Sequence, residues 1–170
     1  STRTATRRPP MARSGPAPQA PKLDDPQVRV VLLVAGFHKD IAENLVHGAR
    51  GRLAESGLHA ENIDEHWVPG SFELPLAART FADTGRYSAV LCLGAVIRGE
   101  TSHFDYVCSA TADGLMRVGL DTGVPCSFGV LTCETYAQAL ARAGGQVGNK
   151  GEEASDAAVA MINLLAAARR

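Results

Sequence analysis

From residue 27 onward, apolar and polar positions fall into blocks that alternate between two periods. Val28-Arg29-Val30-Val31-Leu32-Leu33-Val34-Ala35 is a near-continuous β-branched and aliphatic run, the pattern of a strand covered on both faces. Residues 41–56 carry apolar side chains at Ile41, Leu45, Val46, Ala49 and Leu53, which is helical spacing, and Gly57 supplies a stop. Residues 63–68 predict a second, shorter strand ended by Pro69-Gly70. A helix is expected over 72–84, where Pro75 is tolerable because it lies in the first turn. Further strands are expected at 89–96 and 126–131, with helices at 104–120, 135–143 and 152–168. A glycine-rich segment, 144–151, separates the last two helices. Repeated strand–helix units imply a parallel sheet with helices on both faces. The expected fold is a three-layer α/β/α sandwich on a four-stranded parallel sheet, flavodoxin-like and doubly wound. It should occupy residues 27–170 as one domain.

Residues 1–26 break the pattern. They hold six of the nine prolines and four arginines, and the first acid is Asp24. Such a segment cannot bury enough apolar surface to fold alone, so a flexible N-terminal arm is expected. A transit-peptide remnant is the alternative, since such leaders are rich in Arg and Ser and poor in acids. The compartment follows that choice: cytoplasmic for an arm, plastid stroma for a remnant.

Composition narrows the function classes. Net charge is −1, with 17 basic and 18 acidic residues, so no global field points to nucleic acid or an anionic membrane. The longest apolar runs, 28–37 and 88–97, are about half what a bilayer span needs. Cys92, Cys108, Cys126 and Cys133 form no C-x-x-C pair, and no His cluster has metal spacing. Reduced thiols are expected, with no metal and no cofactor.

In doubly wound sheets, ligands sit outside the carboxyl ends of the strands. Those segments here are Gly36-Phe37-His38-Lys39, Pro69-Gly70-Ser71-Phe72-Glu73, residues 94–103 and residues 128–132. Gly99-Glu100-Thr101-Ser102-His103 opens a helix, where free backbone N–H groups and a glycine suit an anion. It has neither the P-loop nor the dinucleotide-binding glycine pattern. Ser102 and Asp105 fit a capping box, S-x-x-D, and Glu100 suits the helix dipole. Arg98 fits a structural ion pair. A helix N-terminus disfavours the imidazolium of His103, which leaves a neutral base available for proton transfer. Phe37, Phe72 and Phe128, three of only five phenylalanines, follow or end strands and suit stacking on a flat ring. Glu73 suits the hydroxyls of a polyol, while a first-turn acid of the second helix is the better reading of that residue alone. Arg142, late in the fourth helix, and Lys150, in the glycine-rich segment, suit a phosphate or a solvated surface.

Six stretches in order, Gly36-Phe37, "WVPGSFELPLAA" (67–78), "LGAVIRGETSHFDYVC" (93–108), "FGVLT" (128–132), "QALARAGG" (138–145) and "GNKGEEA" (148–154), resemble the 6,7-dimethyl-8-ribityllumazine synthase family of riboflavin biosynthesis. The resemblance covers residue 28 to about residue 168. It implies an enzyme, a transferase, that joins 5-amino-6-(D-ribitylamino)uracil to 3,4-dihydroxy-2-butanone 4-phosphate and releases phosphate and water. This is the penultimate step of the pathway, and the family needs neither cofactor nor metal. Carried over, Phe37 would stack on the pyrimidine, and Ser71, Phe72 and Glu73 would line the ribityl side. Ala95, Val96 and Ile97 would offer backbone to the uracil edge. Glu100 and Thr101 would bind the butanone phosphate through their N–H groups, with Arg142 as its guanidinium and Lys150 close by. His103 would move protons, and Phe128 would close the site from a neighbouring subunit. Expected partners are the two small molecules and further copies of the chain, in a pentamer or a larger shell, with riboflavin synthase a further candidate. Three positions depart from frequent family residues: His38-Lys39 after the Phe, Ser71 for Ala, and Cys133 where a hydroxyl is frequent. Competing readings are a non-catalytic lumazine binder, a structural shell, and a response-regulator-like domain, the last lacking the paired acids of a phosphoacceptor site.

Overall fold

The computed structural model describes residues 18–170. Four strands, β1 (Val30–Ala35), β2 (Ile63–Val68), β3 (Ala89–Ile97) and β4 (Cys126–Cys133), pair in the order β2-β1-β3-β4, all parallel. Helices α1 (Lys39–Glu55), α2 (Leu74–Asp83), α3 (His103–Thr122), α4 (Tyr136–Ala141) and α5 (Lys150–Ala168) surround them. The expected sandwich is therefore observed. All six residues of β1 are buried, as a strand with neighbours on both edges and helices on both faces requires. Alternate β1 side chains feed two cores. Val30, Leu32 and Val34 pack with α1 and α5, while Val31, Leu33 and Ala35 pack with α2 and α3.

Element boundaries differ from the periodicity in places with local causes. Residues 71–73 form a 3-10 turn, and α2 proper begins at Leu74, with Pro75 in its first turn. Two short strands absent from the sequence pattern, β5 (Ala143–Gly145) and β6 (Gly148–Asn149), make a small antiparallel hairpin inside the glycine-rich segment. That segment is not a plain turn. The Asn149 side chain accepts from the Gly151 N–H at 2.8 Å and so caps α5, and its amide donates to the Asn44 carbonyl at 3.1 Å. This contact forms because α1 and α5 cross almost backbone to backbone. A Cβ on Gly151 would lie 2.1 Å from the Leu45 carbonyl oxygen, and one on Gly48 would lie 2.3 Å from the Asn149 amide nitrogen.

Of the proline-rich segment, residues 1–17 lie outside the described residues. Residues 18–26 lie against the domain. Leu23 is buried and donates its N–H to the Ser56 carbonyl at 2.9 Å. Arg52 donates to the Pro18 carbonyl and pairs with Asp156 at 2.7 Å. Asn163 donates to the Lys22 carbonyl and accepts from the Asp24 N–H. One apolar side chain and a few polar anchors are enough to lay this stretch across α1 and α5.

Candidate active site

The strand order reverses between β1 and β3: the chain steps outward from β1 to β2, then crosses to the other side. The loops leaving β1 and β3 diverge there and leave a crevice at the carboxyl ends. A cleft of about 600 Å³ occupies this point. Phe37 and His38 line it from the loop after β1, and Gly70 to Glu73 from the loop after β2. Ala95, Val96 and Ile97 line it from the end of β3, with Gly99, Thr101 and His103 beyond them. Phe104, Tyr106 and Val107 of α3 complete the wall.

Each wall has a physical character set by its element. On the β1 side, β3 has no partner past Leu93, whereas on the β4 side its pairing runs on to Ile97. The last turns of β3 therefore present backbone polar groups to the cleft, where they suit the edge of a planar amide-containing ring. Phe37 is 80% exposed, held edge-on to the His38 ring at a centroid distance of 5.0 Å. An aromatic side chain this exposed beside a crevice offers a free face for stacking. Ser71 is buried beneath the cleft floor, and its carbonyl accepts from the buried Thr111 hydroxyl at 3.1 Å. This ties the loop after β2 to the middle of α3.

The β3–α3 turn, where an anion site is expected, is built differently from the sequence expectation. Ser102 has helical dihedrals and makes no side-chain cap, so the Ser102–Asp105 capping box does not form. Asp105 is taken instead by Arg98, whose guanidinium nitrogens reach its two carboxylate oxygens at 2.9 and 3.2 Å. That pairing holds the Asp105 carboxyl below its usual range. The same guanidinium reaches Glu134 at 2.7 Å and lies 4.4 Å from the centroid of the Phe104 ring. Arg98 is thus the structural cation expected of it. Thr101 turns its hydroxyl to accept from the His103 N–H at 3.3 Å. Among the described residues, no protein group accepts from the N–H groups of Gly99, Glu100 or Thr101.

Phe37, Ser71, Phe72, Glu73, Ala95, Val96, Ile97, Thr101 and His103 thus meet in one cleft. Glu100 is exposed beside it and outside its lining. Phe128, Arg142 and Lys150 are elsewhere. Phe128 is not at a strand exit: it is the third residue of β4, opposite Cys92, and 41% exposed on the outermost strand. Arg142 caps α4 and donates to the Gln138 carbonyl at 3.0 Å. Lys150 opens α5 and pairs with Glu153 at 2.7 Å. The β5–β6 hairpin brings the backbones of these two residues together, since the Lys150 N–H donates to the Arg142 carbonyl at 2.9 Å.

Sequence reasoning passed over His38, Phe104, Tyr106 and Val107 as cleft residues. Tyr106 is 74% exposed one helical turn from His103, and that spacing was the available signal. A further contact was invisible in the pattern: the Tyr136 hydroxyl hydrogen-bonds the Asp40 carboxylate, joining the start of α4 to the first turn of α1, just past the loop that carries Phe37. The hydrogen bond from Tyr136 keeps the Asp40 carboxyl low. None of the cysteines is bonded. Burial raises their thiols, Cys126 to about 11, which leaves little thiolate at neutral pH.

Comparison with protein families gives a match over most of the chain. The model described as 6,7-dimethyl-8-ribityllumazine synthase spans residues 27–166 of this chain. The matched region contains every cleft residue, together with Phe128, Arg142 and Lys150.

Proposed function

Because the chain belongs to the 6,7-dimethyl-8-ribityllumazine synthase family, whose transferase-type enzymes form the lumazine in riboflavin biosynthesis, we propose that it condenses 5-amino-6-(D-ribitylamino)uracil with 3,4-dihydroxy-2-butanone 4-phosphate, releasing phosphate and water. The observation that carries this reading is the cleft at the strand-order reversal. A free aromatic face, unpaired strand backbone, a carboxylate, open N–H groups and an imidazole converge there. Phe37 stacks on the pyrimidine, and the end of β3 pairs with its amide edge. Glu73 accepts from ribityl hydroxyls. Glu100 and Thr101 donate their N–H groups to the phosphate.

Aligning two substrates supplies much of the rate, since effective molarities can be very large for well-oriented partners. The remaining chemistry is proton transfer. The amine of the pyrimidine attacks the carbonyl of the butanone and loses water as an imine forms. Removal of a carbon-bound proton expels phosphate and leaves an enol that tautomerises to a ketone, and the second amine attacks this carbonyl and releases a second water as the ring closes. His103, which lines the cleft at the start of α3, carries these protons.

The proposed enzyme is an oligomer whose site spans two copies. One chain brings the cleft, and the next brings Phe128, Arg142 and Lys150. This reading is supported by the separation of those three side chains from the cleft and by the exposure of Phe128. Two experiments test it. Mixing both substrates with the purified chain should generate the fluorescence of the lumazine product, and no product would refute the activity. Co-assembled His103→Ala and Phe128→Ala chains should recover activity that neither has alone, because some interfaces then carry both intact residues. Absence of recovery in verified mixed assemblies would refute the shared site.

A further inference from the structure

Arg98 lies outside the cleft lining, yet it is the most heavily engaged side chain near the phosphate turn. Its fork grips both oxygens of Asp105 in the first turn of α3, its Nε holds Glu134 just before α4, and its plane lies near the Phe104 ring. Its own N–H donates to the Cys133 carbonyl at the end of β4 at 3.0 Å. One residue therefore closes residues 98–105 into a fixed reversal and anchors that reversal to β4.

We propose that Arg98 is a positioning residue for phosphate: it holds the Gly99–Thr101 N–H groups at a set spacing and neutralises the carboxylates that would otherwise repel the anion. The proposal rests on the reading of function above. Asp105 and Glu134 both lie beside a turn meant to receive an anion, and Glu100 is in the turn itself. Without Arg98, the turn would meet the phosphate with three carboxylates and no cation of its own. Lysine cannot substitute fully, because a single ammonium cannot span two oxygens of Asp105 and also reach Glu134 in a planar fork. Arg98 touches neither reacting atom, so its effect passes through the turn and through His103, which shares it.

The test uses the assembled protein and inorganic phosphate as the probe, followed by calorimetry and by phosphorus NMR line broadening. Arg98→Gln should weaken phosphate binding by ten-fold or more. It should raise the KM of the phosphate-bearing substrate and leave that of the pyrimidine within two-fold. Arg98→Lys should recover part of the affinity. Arg98→Gln/Asp105→Asn should bind phosphate better than Arg98→Gln alone, because one repelling charge is gone. Unchanged phosphate affinity in Arg98→Gln overturns the proposal, as does equal loss for both substrates in Arg98→Lys, whose retained charge keeps the fold comparison available. If the wild-type protein binds phosphate in an Arg98-dependent way but forms no lumazine, the proposed reaction fails and this inference stands. If lumazine forms and phosphate affinity ignores Arg98, this inference alone fails.

Discussion

Replacing Gly151 with Ala sets two known effects against each other at one position. Gly151 is the second residue of α5, where Ala would be favoured by helix propensity by up to about 1 kcal/mol. The new methyl, however, would lie 2.1 Å from the Leu45 carbonyl oxygen and 2.9 Å from the Asn149 Oδ1. A carbon–oxygen contact closes at about 3.3 Å, so α1 and α5 must separate locally by about 1.2 Å. Neither obstacle is the free end of a flexible chain: one is helix backbone and the other is the cap of α5. Overpacking of this kind costs about 1–3 kcal/mol, and loss of the Asn149 cap adds about 1 kcal/mol. The steric side wins, for a net loss of about 2–3 kcal/mol. At about 2–4 °C per kcal/mol for a chain of this size, Tm should fall by about 5–10 °C. Gly51 provides the control, because it is exposed in α1 and a Cβ there meets nothing within 4 Å. Gly51→Ala should therefore hold or raise Tm. Thermal melts of both variants at one fixed protein concentration check the pair. If Gly151→Ala melts at or above the wild-type temperature, the close crossing of α1 and α5 is wrong.

His103→Ala should lower kcat by about 100- to 10,000-fold without abolishing turnover, because positioning of the two substrates persists; steady-state kinetics with no change in kcat would remove His103 from the mechanism. Arg142→Ala should raise the KM of the phosphate-bearing substrate far more than that of the pyrimidine, and equal effects on both would contradict its assignment. Asp64 titrates below its usual value, held there by the Tyr87 hydroxyl and then by Arg29 at 2.9 Å. A lowered folded-state pKa stabilises the fold above the unfolded value of about 3.9 and loses that contribution as pH falls through the folded value. Asp64→Asn should therefore lower stability at pH 7 and show a shallower decline below pH 4 in urea titrations; parallel pH profiles for the two proteins would refute this.

The strands were legible because doubly covered strands must be almost wholly aliphatic, and residues 28–35 and 89–96 have no other use for that composition. Their parallel arrangement followed from repeated strand–helix units, and a parallel sheet directs attention to its carboxyl ends, whereas the order β2-β1-β3-β4 that opens the cleft is set by tertiary packing. What escaped notice depends on side-chain reach or on contacts distant in sequence. The capping-box reading of Ser102 and Asp105 was locally sound, and Arg98 defeated it by offering Asp105 two charged donors. The α5 cap at Asn149 gains its meaning only from α1, about a hundred residues earlier, where Gly48 leaves room for its amide. Tyr136 and Asp40 meet across a similar interval, so no window of sequence contains both. Phe128 was grouped with the strand exits although the expected strand, 126–131, already held it in its interior, where β4 keeps it.

The sheet itself favours the proposed division of the site between two copies. The cleft opens where β1 and β3 diverge, on the side occupied by the loop after β2 and the start of α3. Arg142 and Lys150 flank the β5–β6 hairpin, which packs with the α1 and α5 core on the opposite face, and Phe128 lies on β4, the far edge of the sheet. Within its own chain, then, the phosphate turn has backbone donors and a cation, Arg98, whose fork is already committed to two carboxylates. A dianion bound there gains hydrogen bonds but little net positive charge. A neighbouring copy that supplies Arg142 provides both charge and planar donors. In the proposed assembly it would also bring the Phe128 ring to cover the pyrimidine face that Phe37 leaves open. Assembly would then be a chemical requirement of the proposed reaction, and dissociating the oligomer should abolish turnover even though each chain keeps its fold.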